Sequence, residues 1–120
     1  MNYKEEIFNM LCRHSCNIMC GWVPFPSTCI HESMPEISLY KVRKHLKELK
    51  QEGLIASDLF VDQGDERPIL VRGWVLTKEG MKTEAYFKAH EEERKLCQEC
   101  FDIDIGSVPL DANYDGWLDV

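Results

Sequence analysis

The chain has 120 residues, 44% of them hydrophobic and 29% charged, with a net charge of −7. That is the composition of an ordinary globular protein with one modest core, and its acidity excludes indiscriminate binding to nucleic acid. No apolar run approaches the ~20 residues of a membrane span, and the first residues lack a signal-peptide pattern. The chain is therefore expected in the cytoplasm, with its six cysteines as free thiols or metal ligands rather than disulfides.

Residues 3–20 predict a first helix, because Ile7, Phe8, Leu11, Ile18 and Met19 share a face and Ser15 fits among them. Cys12, Cys16 and Cys20, spaced by four, rotate progressively away from that face. Gly21 ends the helix, and Pro24 with Pro26 forbids another directly after it. A short extended segment is expected there, with Trp22 and Phe25 held against the core. Ser27 then reads as the N-cap of a short helix over residues 28–33, with Ile30 facing inward. Met34 to Ile37 breaks it.

Residues 38–51 predict the helix around which the rest is arranged. Leu39, Val42, Leu46 and Leu49 form one narrow apolar stripe, Ser38 is a suitable N-cap, and Gly53 is a suitable left-handed stop. Lys41, Arg43, Lys44, Lys47 and Lys50 stand against the single acid Glu48, a local +4 on an acidic chain. Residues 1–53 hold seven Lys/Arg and six Asp/Glu, a balance of +1; residues 54–120 hold seven and fifteen, a balance of −8. A basic helix face of this kind is either solvated, with pairs such as Lys44 and Glu48 one turn apart, or a binding surface.

After Gly53 the period changes. Residues 54–62 and 69–77 are rich in β-branched and aromatic residues, and residues 63–68 (QGDERP) are turn chemistry, so a hairpin is predicted. Thr77 then caps a long helix in which Met81, Ala85, Ala89, Leu96 and Cys100 share a face. The run His90 to Lys95 is polar all round, as in a helix that projects or breaks. Residues 102–120 hold five acids, no bases and scattered large apolar residues. That is the make-up of an acidic tail docked on the body or on a partner protein.

Helix, helix, turn, helix, hairpin, helix is the order of a winged helix-turn-helix domain. VRKHLKELKQEGLI resembles the recognition helix and first wing strand of MarR-like and PadR-like bacterial regulators, and WVLTKEG resembles their second wing strand and the start of their C-terminal helix. The resemblance covers roughly residues 3–101. It implies an α+β fold with a three-helix core, a two-stranded β-hairpin wing and a long C-terminal helix, in a domain spanning residues 1–101. It also implies a transcriptional regulator that binds double-stranded DNA sequence-specifically as a homodimer, through the first and last helices, with the 38–51 helix in the major groove. Small members of this size occur in phage and mobile-element genomes as well. By position, Ser38, Tyr40, Lys41, Lys44 and Lys47 are the base-reading candidates, with Arg43 and Lys50 nearer the core edge as phosphate contacts or structural residues. Arg67 and Arg72 are the wing candidates, beside the opposing acids Asp62, Asp65 and Glu66. The alternative is a non-catalytic winged helix that docks a protein.

Two metal patterns compete with plainer readings. Cys12 and Cys16, together with the Cys97/Cys100 pair, offer four thiols from two helices for a tetrahedral zinc, against simple packing of a small apolar residue. Asp111, Asn113 and Asp115, followed by Gly116, match the first positions of a calcium loop, but the bidentate acid at its twelfth position is missing. Plain packing and an acidic turn are the preferred readings. No phosphate loop, nucleophile motif or arranged carboxylate pair points to catalysis, and His14, His31, His45 and His90 are dispersed. The chain is read as a non-enzyme that needs no cofactor.

Overall fold

The computed structural model describes residues 2–17, 23–62 and 69–104. Among them the fold is α+β, with helices α1 (Tyr3–Cys16), α2 (Ser27–Ser33), α3 (Leu39–Gln51) and α4 (Glu84–Phe101) and a small antiparallel sheet. Its strands are β1 (Phe25–Pro26), β2 (Ile55–Asp62) and β3 (Ile69–Leu76), in the order β1-β3-β2. The sheet thus has three strands rather than the two expected. The added one is the Phe25–Pro26 segment, which lies beside Trp74 and Gly73. Proline is tolerated there because β1 is an edge strand.

Helix α1 begins where Asn2 accepts a hydrogen bond from the Glu5 amide, with Glu5 and Glu6 at its positive end and Arg13 and His14 at its negative end. It stops at Cys16, short of the predicted residue 20, because Asn17 takes extended backbone. The remainder of that expectation, with Gly21 and Trp22, lies outside the described residues. The His14 ring stacks on Phe25 at 4.6 Å and shares a hydrogen bond with the Val23 carbonyl, which fastens the end of α1 to β1. Ser27 is the first residue of α2 rather than its cap; Pro26 takes the cap position, where its fixed φ of −69° is already suitable.

The α3 expectations are met closely. Ser38 accepts from the Lys41 amide, and Val42, Leu46 and Leu49 are buried while Leu39 is half-buried. Gly53 at φ +80° lets its own amide reach the Lys50 carbonyl and the Leu54 amide reach the Leu49 carbonyl. This double bond pattern is the Schellman motif, and it turns the chain straight into β2. The core joins these residues to Ile7, Phe8, Leu11, Ile30, Ile37, Ile55, Leu76 and Tyr86.

The WVLTKEG stretch also has a physical account. The Thr77 hydroxyl donates to the Gly53 carbonyl at 2.6 Å and accepts from the Gly80 amide, so it clasps the α3 corner to a 3-10 turn (Gly80–Lys82). A Cβ on Gly80 would lie 2.2 Å from the Leu54 carbonyl oxygen, so only glycine allows this approach. Thr77 therefore does not cap the long helix; Thr83 does, accepting from the Tyr86 amide. The interruption shifts the phase of α4. Its buried residues are Tyr86, Ala89, His90 and Cys97, while Leu96 and Cys100, both expected inward, are exposed. The polar run from His90 to Lys95 does not break the helix. Among the described residues, no helix is long and apolar enough to cross a membrane.

Candidate nucleic-acid interface

The site is built on α3, whose buried stripe fixes which side chains point outward. Ser38, Tyr40, Lys41, Arg43, Lys44, Lys47 and Lys50 are all exposed, Tyr40 to 77%. The Ser38 hydroxyl is already engaged at the helix N-terminus, so its first role is structural. None of the five cations on α3 forms an ion pair with a described residue.

The acids near this helix go elsewhere. Lys44 and Glu48, placed one turn apart by the sequence, do not pair. Glu48 instead lies 3.8 Å from Lys4 and 3.7 Å from His45, and Lys4 donates to Glu52 at 2.5 Å. That bond to Glu52 raises the pKa of the Lys4 ammonium. The carboxylates are thus gathered on the flank of α3 that faces α1.

The opposite flank faces the sheet across a groove of about 640 Å³. Arg43, Lys47 and Lys50, one side of the helix at i, i+4 and i+7, line one wall; Arg72 of β3 lines the other. Arg72 is exposed, and its guanidinium donates to the Ser57 hydroxyl at 3.3 Å across the hairpin. Trp74, Leu70, Ser57 and the Ser27–Thr28 start of α2 complete the surface, and no acid lines it among the described residues. Five candidates from the sequence (Tyr40, Lys41, Arg43, Lys44, Lys47) therefore share one exposed helix, and Arg72 faces two of them across the groove. Arg67, Asp65 and Glu66 lie outside the described residues, as do Asp111, Asn113 and Asp115.

Lys50 belongs to this groove, although by sequence it was placed at the core edge with an undecided role. The signal for it was present, since Arg43, Lys47 and Lys50 recur at helical spacing. Trp74, Ser57 and Thr28 had no such signal; their proximity depends on where the sheet lies.

The cysteines form a different environment. Cys12 and Cys16 are buried, and burial pushes each thiol up to about 12. Such groups stay protonated at neutral pH and are poor nucleophiles. Cys97 is buried with its thiol 3.7 Å from Glu93, and Cys100 is exposed. Among the described residues, no three His, Cys, Asp or Glu side chains are placed to hold a metal ion, so the four zinc candidates are not brought together. Comparison of the chain with protein-family models, with curated proteins and with solved structures gave no significant match.

Proposed function

We propose that the chain is a winged helix-turn-helix protein that binds double-stranded DNA sequence-specifically as a transcriptional regulator. In this reading α2 and α3 are the helix-turn-helix pair, the β2–β3 hairpin is the wing, and β1 reinforces its root. Helix α3 enters the major groove, with Tyr40, Lys41 and Lys44 toward base edges and Arg43, Lys47 and Arg72 toward phosphate. The observation that carries the reading is the row of cations on an otherwise acidic chain that form no ion pair with a described residue. Ion pairs elsewhere have drawn off the neighbouring carboxylates, leaving a local positive field where a duplex can approach.

Lys44→Glu combined with Lys47→Glu tests it. The pair should abolish binding to a genomic duplex pool while the far-UV CD spectrum and melting temperature stay near wild type, since both side chains are exposed. Wild-type affinity should fall with salt by a log–log slope of ~0.9 for each phosphate contact. A wild type that binds no duplex in a salt-sensitive way ends the proposal.

Exposed apolar residues on α4 favour a complementary role in self-association. Phe87 and Phe101, with Ile103 just beyond the helix, are exposed to 56%, 67% and 44%. A homodimer that covers them suits duplex binding only if it sets two α3 helices about 34 Å apart, one turn of the duplex. Phe101→Asp should convert the dimer to monomer in light scattering; a wild type that is monomeric at high concentration removes this part.

A further inference from the structure

The groove between α3 and the sheet carries more chemistry than phosphate contact requires. Among the described residues its four cations have no acid beside them, and next to them lie an indole and an exposed leucine, Leu70. Ser27 and Thr28 on one side and Ser57 on the other add hydroxyls. A B-form duplex presents its phosphates outward and keeps its bases stacked, so it leaves unused Leu70 and the part of Trp74 that is not packed on the core. At about 640 Å³ the groove falls in the ~300–1,000 Å³ range of sites that enclose a small ligand.

A nucleotide with its base free matches every part of this surface. Its phosphates answer Arg43, Lys47, Lys50 and Arg72, the two arginines offering forked donors. Its sugar and phosphate oxygens meet the hydroxyls, and its base has a π-face for Trp74. An inorganic anion satisfies only the charge, and an acidic peptide leaves the indole unused. We propose that this groove is a nucleotide-binding site, filled either by a free nucleoside polyphosphate or by an unpaired nucleotide of a single strand. The inference rests on the groove and not on the duplex reading, which reads bases with the outer face of α3; Arg43, Lys47 and Arg72 are common to both, so nucleotide and duplex should compete.

The test is titration of the full chain, at one fixed salt concentration, with ATP, inorganic pyrophosphate, adenosine, a short oligo-dT strand and a poly-glutamate peptide. ATP should bind about tenfold or more tightly than pyrophosphate, the factor that stacking one base supplies, and about tenfold or more tightly than adenosine, which lacks the phosphates that meet the cations. Lys50→Gln with Arg72→Gln should weaken ATP about tenfold or more. Lys41→Gln with Lys44→Gln removes the same charge outside the groove and should leave ATP binding unchanged. A Trp22→Phe/Trp117→Phe variant keeps Trp74 as the single indole, and ATP should quench its emission. Binding of ATP without oligo-dT assigns the site to free nucleotide; the reverse assigns it to a single strand. Equal affinity for ATP and pyrophosphate, poly-glutamate binding as tight as ATP, equal losses in the two double variants, or unquenched Trp74 would each overturn the proposal. Loss of duplex binding in Lys41→Gln/Lys44→Gln with ATP binding intact separates the failure of one reading from that of the other.

Discussion

On the flank of α3 that faces α1, the helix presents Glu48, with Glu52 just past its end, and both meet Lys4; on the flank that faces the sheet it presents Arg43, Lys47 and Lys50, and across the groove stands a further cation, Arg72. The two flanks are a helix diameter apart and share one backbone. One is neutralised and the other is left strongly positive. The lesson is that net charge is a poor guide to where a chain binds, because ion pairing consumes the carboxylates on one side only. A total of −7 coexists with a groove that no acid lines among the described residues, and at physiological salt, where fields fade within ~8 Å, the local charge and not the total sets the potential there.

The sharpest way to break this contrast is to reverse charge on each flank in turn. Arg43→Glu should lower duplex affinity by about tenfold or more, as expected when a phosphate contact is lost and a repulsion replaces it. Lys4→Glu should leave it near wild type. Equal losses in fluorescence anisotropy would show that overall charge governs binding and that the flanks do not differ. The next effect is on the corner that sets the groove's width. Gly80→Ala drives a methyl group into the Leu54 carbonyl and should cost about 1–3 kcal/mol in urea unfolding. Gly53→Ala, at φ +80° with open space around it, should cost about 1–2 kcal/mol.

A smaller effect belongs to the α1–α4 side, where Cys12 and Cys16 are held neutral by burial. Their folded-state values near 12 lie above the ordinary 9.0, so unfolding eases thiol deprotonation. Their contribution to stability is complete below pH 9 and is lost as pH rises from 9 toward 12. Melting temperature should fall across that window, and Cys12→Ala should flatten the fall. The smallest effect is the loss of Lys4 in Lys4→Gln: an exposed surface ion pair should leave the melting temperature nearly unmoved, and a large drop would mean that the pair organises the α1 flank.

Much of α3 was legible in the sequence. Its buried stripe, the Ser38 cap and the Gly53 stop are local signals, and local hydrogen bonds honour each of them. The hairpin was legible for the same reason. The extended segment at Phe25 and Pro26 was legible too, but its pairing was not, since contact with Trp74 and Gly73 depends on a strand more than forty residues away. The face of α4 was read only in part: Met81, Ala85 and Ala89 do lie against the core, but Leu96 and Cys100 do not, and the helix starts later because Thr77 and Thr83 are both capping residues with a 3-10 turn between them. The cation row of the candidate site could be read from spacing, but not its far wall. Arg72, Ser57 and Trp74 reach Lys47 only through tertiary packing.

Strand β1 has a mechanical consequence. It ties the lead-in to α2 onto β3 at Phe25 and Pro26, while Thr77 ties the same sheet to the end of α3. With both anchors in place, the root of the hairpin and the helix behave as the fixed jaws of a caliper. A ligand that fits the gap loses little freedom by ordering it, and one of the wrong width meets a frame that does not yield.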